Sequence, residues 1–428
     1  MKLFPRKLQK NIHPWLEKPD IIIISGARQV GKTSLLLLLE AEVKELWRDT
    51  KNILTFNLED ADHLAALNRD PKYFKEYLIF SGANPKKESV VMVDEIQYLD
   101  DPSHFLKYLA DFEPSLKLIV TGSTSIQIKR FKNGLTGRKK IFHLFPLDFR
   151  GFVLFKGKDD LISVLEKFHF KETISNQIDI DAQRILPFKN ELENLFEEYI
   201  LFGGYPKVVL AVSRDEKLQE LQELYKTYEL KDVNVLFNVG NMAAFRNLFR
   251  LMASNIGNLL NINEVSGTLG IGRDTVKRYL GVLENSFITH SLPPFHSNIR
   301  KELTKMPKLF FMDTGMRNFA VKNFTELNFR TDRGSLFENA IFGEIYKNLG
   351  MIEQLFFWRT LSKNEVDFVL TGDRNIAGEA KLSPDSQLRQ TAGLRAFGKT
   401  YPDFKHVVAT TSQFAFNKGV YYLPGWMI

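Results

Sequence analysis

Gly26-Ala-Arg-Gln-Val-Gly31-Lys32-Thr33 follows the apolar run Ile21–Ser25 and opens a helix-like stretch, 33–47, with a continuous apolar side. Strand, glycine-bounded loop and helix in this order form the setting that a phosphate-binding loop requires. Glycines let backbone N–H groups wrap phosphate oxygens, and the amino end of the helix adds positive potential. The candidate nucleotide-binding residues are therefore Gly26, Ala27, Arg28, Gln29, Val30, Gly31, Lys32, Thr33 and Ser34. Lys32 is expected on the β- and γ-phosphates of ATP, and the Thr33 hydroxyl on Mg²⁺. A plain glycine turn at a strand end is the competing account.

Further apolar runs at 53–57, 90–94 and 118–121, with a fifth at 141–145, alternate with helix-like stretches. That alternation predicts a parallel sheet covered on both faces over the first 150 residues. Val90-Val-Met-Val-Asp94-Glu95 ends in two acids. Asp94 is expected near the Mg²⁺, and Glu95 is the candidate general base acting on the attacking water. A base there suggests hydrolysis and disfavours a small-substrate kinase. After the next run, Thr121 and Ser123 are candidates for sensing the γ-phosphate, against an ordinary strand-ending turn. The basic stretch 129–140 contains Arg138, a candidate arginine finger for a neighbouring subunit's nucleotide. A finger needs a ring or a dimer; a solvated loop, or one touching DNA phosphates, is the other reading.

From 151 to 236 the pattern is mainly helical, clearest at 191–201 and 217–230, with Gly203, Gly204 and Pro206 between them. Residues 260–289 read as a helix-turn-helix, with a turn at Gly270–Gly272 and an inner face of Val276, Tyr279, Leu280 and Leu283. Arg273, Lys277 and Arg278 face outward, toward DNA, unless the module serves only as a packing lid. Ile288 and Leu292, near Pro293 and Pro294, suit a wing.

Strand-like runs return at 309–312, 355–358, 366–370, 376–381 and 406–410. Glu338 lies on the helix-like stretch 334–348, and Glu379 and Lys381, two apart on a strand, share a face. Asp367 and Glu379, with Glu338 upstream, are hard oxygen ligands suited to Mg²⁺ or Mn²⁺. Such an ion activates water at a scissile phosphate while Lys381 orients the nucleophile. A surface salt bridge between Glu379 and Lys381 competes with that reading.

The chain's 428 residues exceed one ordinary core, and 44% hydrophobic with 25% charged residues suits a soluble globular protein of several domains. The absence of cysteine excludes disulfides, a thiol nucleophile and Cys-based zinc. No run reaches the roughly 18 apolar residues of a spanning helix, and the basic amino terminus lacks the apolar region of a signal peptide. A cytoplasmic protein without a membrane partner is expected. The net charge of +7 is a mild lean toward polyanions such as DNA.

Jointly these residues resemble prokaryotic AAA-like ATPases that carry a carboxy-terminal domain of unknown function related to PD-(D/E)XK nucleases. The motifs that carry the likeness begin with 26–33, Asp94-Glu95-Ile-Gln97, Thr121-Gly-Ser123, Gly137-Arg138 and Gly203-Gly-Tyr-Pro206. They continue with Asp313-Thr-Gly315, Arg333-Gly334, Glu338-Asn339, Trp358-Arg359, Glu365-Val-Asp367 and Glu379-Ala-Lys381. The resemblance implies an α/β protein: an AAA-type core over 1–150, a helical lid region over 151–240, a winged helix-turn-helix over 241–300 and a restriction-endonuclease-like domain over 301–428. Lys231-Asp232 stands where the family often has Arg-Asp, and no second sensor arginine is placed, Arg214 and Arg246 being only nominal candidates. The expected function is ATP hydrolysis by a homo-oligomer that binds or remodels DNA, with a metal-dependent nuclease site. The alternative is a nucleotide-controlled switch gating a partner protein, with the nuclease-like fold as a platform.

Overall fold

The computed structural model describes residues 3–47, 50–123, 137–167, 170–175, 187–296, 306–382 and 390–428. The backbone divides into two compact units, Met1–Phe145 with Asn285–Phe287, and Pro146–Glu284 with Ile288–Ile428. Apart from Asn285–Phe287, the regions expected after residue 150 fall within the second unit.

In the first unit β1 (Ile21–Ser25), β2 (Asn52–Asn57), β3 (Ser89–Asp94), β4 (Leu116–Gly122) and β5 (Lys139–His143) form a parallel sheet in the order β2-β3-β4-β1-β5. Alternate side chains of a strand leave by opposite faces. Ile21, Ile23, Val91, Val93, Leu118 and Val120 accordingly share one cluster with Phe74, Leu78, Phe105, Leu106 and Leu109. The helix Lys32–Trp47 buries Leu35, Leu36, Leu39 and Val43 and packs on β2, β3 and β4. From β1 the chain runs to the β2 edge, and after β4 it crosses β1 to add β5 on the far side. The order of connections therefore reverses at the carboxyl end of β1, where open parallel sheets bind ligands.

In the second unit the helix expected over 217–230 begins at Arg214, because Ser213 and Glu216 form a reciprocal capping box. It gives way to a π-helix, Tyr228–Leu236, whose wider spacing a 3.6-residue pattern does not reveal. The helices Ile262–Leu269 and Arg273–Asn285 flank a turn in which Gly270 takes the left-handed conformation. Val276, Tyr279, Leu280 and Leu283 are buried, while Arg273, Lys277 and Arg278 are exposed. β6 (Thr289–Leu292) pairs antiparallel with β7 (Lys308–Phe311). A mixed sheet follows, built from β8 (Gln354–Arg359), β9 (Glu365–Thr371), β10 (Ile376–Ala380), β11 (Lys405–Thr410), β12 (Ala415–Asn417) and β13 (Val420–Pro424). Its order is β12-β13-β11-β10-β9-β8, and β12 and β13 lie beyond the last strand-like run the sequence suggested.

The helix Arg333–Lys347 brings Glu344 beneath Phe149, whose N–H donates to it at 3.0 Å, and beside the Tyr199 hydroxyl at 2.5 Å. Burial pushes the Glu344 carboxyl up to about 7 despite Lys347 nearby. A carboxyl raised on folding contributes stability that is complete below its unfolded value and is lost as pH rises through its folded one. Glu344→Gln retains an acceptor for Phe149 and is neutral at every pH. Its stability relative to wild type is expected to improve by roughly 3 kcal/mol between pH 5 and pH 8, measured by urea denaturation at both; an unchanged difference would contradict the buried-acid assignment.

Candidate functional site

The loop between β1 and the helix Lys32–Trp47 is built from backbone conformations that few side chains permit. Gly31 has φ +95° and Gln29 has φ +60°, the left-handed conformations that loops wrapping an anion use. A Cβ on Gly26 would lie 2.1 Å from the Leu144 carbonyl oxygen, which leaves glycine as the residue that fits. Lys32 is buried, and its ammonium donates to the carbonyls of Gly26 at 3.3 Å and Ala27 at 3.0 Å. Arg6 braces the loop from outside, donating to Val30 O at 2.7 Å and Phe145 O at 2.8 Å. In the sequence Arg6 stands out only as one residue of a basic terminus.

Asp94, at the carboxyl end of β3, accepts from the Thr33 hydroxyl at 2.6 Å with one oxygen and from the Thr121 hydroxyl with the other. Glu95 follows in the left-handed region, φ 60° and ψ 48°, and its N–H donates to Thr121 Oγ1 at 3.1 Å. This uncommon backbone brings the Glu95 carboxylate to 3.8 Å from the Lys32 ammonium. Gln97, which the sequence analysis cited without a role, donates through Nε2 to Glu95 and accepts at 3.2 Å from the N–H of Ser123. The buried hydroxyls of Ser25 and Ser123 lack a hydrogen-bond partner among the described residues, and both stand at carboxyl ends of central strands. Thr33 and Asp94 thus set a hydroxyl and a carboxylate oxygen side by side, a donor pair that fits Mg²⁺.

Arg138 lies at the opposite end of the sheet, where its carbonyl accepts from the N–H of Ile21 at 2.9 Å, and its guanidinium pairs with Asp111. Most of the basic stretch around it, 124–136, lies outside the described residues. Of the nominal sensor arginines, Arg246 pairs with Glu229 at 2.7 Å and Arg214 donates to Phe324 O at 2.8 Å.

In the second unit Glu338, Asp367, Glu379 and Lys381 do converge, but around a residue the sequence reading missed. The buried Lys308 ammonium lies 2.9 Å from Glu338, 2.5 Å from Glu365 and 3.9 Å from Asp367. Lys381 lies 3.0 Å from Glu379 and 3.9 Å from Asp367, and the Thr391 hydroxyl donates to Glu379 at 2.5 Å. Among the described residues no group of three or more His, Cys, Asp or Glu side chains is arranged to hold a metal ion. Two ammonium groups, Lys308 and Lys381, partner the carboxylates expected as ligands. Burial, then the charge of Asp367, pushes Glu338 up to about 8, while Lys308 pulls the other way. Burial also works against the charged form of Lys308, but Glu338, Asp367 and Glu365 overcome it and leave that ammonium above its ordinary value.

Residues 18–153 match the family model described as AAA domain. Residues 193–327 and 333–427 match two domains of unknown function, DUF8612 and DUF4143. An uncharacterized protein of Haemophilus influenzae is 25% identical over 309 residues, covering 70% of this chain and 69% of its own length. One from Methanocaldococcus jannaschii is 25% identical over 407 residues, covering 93% and 82%. Among solved structures, the Aeropyrum pernix ORC1 protein in complex with DNA superimposes with a TM-score of 0.29 at 14% identity, covering 74% of this chain and 91% of that one. Caenorhabditis elegans PCH-2 gives 0.32 at 13%, covering 54% and 64%. Superpositions this weak carry no functional weight. The AAA likeness read from the sequence is thus met by the AAA-domain match over 18–153, and its carboxy-terminal part by DUF4143. A relation to nucleases goes beyond that match.

Lys308→Met would leave Glu338, Glu365 and Asp367 without their shared cation. A loss of about 3–5 kcal/mol is expected from stranding buried charge, read as a lower urea midpoint. A variant as stable as wild type would show that the cluster is not held by this lysine.

Proposed function

We propose that this protein binds ATP with Mg²⁺ at the 26–34 loop and hydrolyses it. The observation that carries the reading is the convergence of Lys32, Thr33, Asp94 and Glu95 at the carboxyl ends of β1 and β3. Lys32 and the loop N–H groups bind the β- and γ-phosphates, and Ser123 meets the γ-phosphate end. Thr33 and Asp94 hold Mg²⁺, which neutralises phosphate charge when bound. Glu95 takes a proton from the water that attacks the γ-phosphorus, and ADP leaves with the cleaved oxygen. Arg138, at the far end of its own sheet, can act only on a neighbour's nucleotide, so a role for it requires a homo-oligomer.

The purpose of the hydrolysis is read from the helix-turn-helix: exposed Arg273, Lys277 and Arg278 on one helix of a chain with net charge +7 favour DNA as the polyanion engaged. Cleavage is left out of this reading because Lys308 and Lys381 already compensate the acids expected to hold its metal. That compensation supports treating the carboxy-terminal domain as a platform.

ATP turnover should be abolished in Lys32→Ala together with nucleotide binding. Glu95→Gln should keep binding and lose roughly 10²- to 10⁴-fold in kcat; a Glu95→Gln enzyme of wild-type rate would remove the base from this scheme. For the DNA role, the Arg273→Ala, Lys277→Ala, Arg278→Ala triple variant should bind duplex DNA more weakly. Its slope of log affinity against log salt should shrink by up to about 3. Identical curves for the two proteins would place DNA elsewhere or nowhere.

A further inference from the structure

We infer that Gln97 is a positioning residue for hydrolysis, holding the Glu95 carboxylate in place and tying it to the carboxyl end of β4. The inference rests on the ATP-hydrolysis reading above and adds to it the residue that orients the base.

Gln97 lies in the one-turn 3₁₀ segment Ile96–Tyr98 and is 4% exposed. Its amide spans two groups of opposite need. Nε2 donates to Glu95 Oε2, and Oε1 accepts the Ser123 N–H at 3.2 Å. The β4 backbone leaves room for this bridge, since a Cβ on Gly122 would lie 3.2 Å from Gln97 Oε1. Glu95 is thereby anchored to β4 twice: its own N–H meets Thr121, and its carboxylate reaches Ser123 through Gln97. Its second oxygen, Oε1, faces the Lys32 ammonium at 3.8 Å.

The geometry has a chemical consequence. A carboxylate with one oxygen bound to an amide loses its freedom to spin, and the other oxygen becomes the one presented to water. A primary amide suits this bridge because it carries a donor and an acceptor on adjacent atoms. Leucine supplies neither, and glutamate would face Glu95 with like charge. Because the bridge ends on the N–H of Ser123, displacement of that strand end by a bound phosphate is passed to the base.

The test uses the full chain and Mg-ATP, with wild type, Gln97→Leu, Gln97→Glu and Lys32→Ala. Turnover is measured under saturating Mg-ATP, nucleotide affinity by titration and folding by thermal melting. Gln97→Leu is expected to bind ATP within about twofold of wild type and to lose roughly ten- to a hundredfold in kcat. Gln97→Glu should also keep affinity and lose at least as much in kcat, since it places like charge against the Glu95 carboxylate. Wild-type kcat in a folded Gln97→Leu protein overturns the inference while leaving ATP hydrolysis standing. A parallel loss of affinity and rate, or failure of both variants to fold, overturns it in favour of a structural role. Absence of turnover in wild type, with Lys32→Ala indistinguishable from it, overturns the hydrolysis reading and this one together.

Discussion

The candidate site at the 26–33 loop depends on the two oxygens of one buried carboxylate. Asp94 takes the Thr33 hydroxyl on one side and the Thr121 hydroxyl on the other. The phosphate loop issues from β1, yet β4 separates β1 from β3 in the sheet. Asp94 therefore reaches the loop only because the helix that follows carries Thr33 back over the strand ends. Hydrogen bonds to an ionised acceptor are stronger than neutral pairs, and a buried carboxylate without them is costly. That requirement fixes the start of the helix, the end of β3 and the end of β4 against one another. Glu95 inherits its position from this arrangement, since its left-handed backbone is held by the same Thr121 hydroxyl.

The two acid clusters of the protein solve the burial of carboxylates in opposite ways. Around Asp94 the donors are neutral hydroxyls, so the negative charge is stabilised but not cancelled, and a cation remains welcome. Around Asp367 the partners are ammonium groups: Lys308 serves Glu338, Glu365 and Asp367, while Lys381 serves Glu379. Acidic residues at similar sequence spacing thus acquire different chemistry from what lies between them.

Most of the first unit was legible because its information is local. Ile21–Ser25, the loop and the helix Lys32–Trp47 are contiguous, and runs of β-branched residues mark the other strands. Asp94 and Glu95 were legible as a strand ending in two acids. Their partners were not, because partners follow from strand order. Arg6 meets a carbonyl 139 residues away, at Phe145. Lys308 opens β7, and nothing in its neighbours marks it as the centre of a cluster assembled from β9 and the helix Arg333–Lys347. Gln97 sits two residues from Glu95, but its role appears only once β4 is beside β3. The π-helix Tyr228–Leu236 escaped because apolar spacing was read at 3.6 residues per turn.

Two motifs that looked unrelated in the sequence prove to be halves of one contact. Gly203-Gly-Tyr-Pro206 ends the helix Lys189–Phe202, and Asp313-Thr-Gly315 begins the helix Thr314–Val321. Asp313 accepts from the Gly204 N–H at 2.7 Å and caps its own helix through Met316 N–H at 2.9 Å. A Cβ on Gly203 would lie 2.2 Å from Asp313, and one on Gly315 would lie 2.0 Å from Phe202 O. Each glycine is thus required by the other motif's atoms. Asn318 completes the join by donating to the Ile200 and Leu201 carbonyls at 3.0 and 2.9 Å, using the free acceptors at a helix end. The glycines and the aspartate are there for close approach, a packing requirement that accounts for both motifs without any ligand.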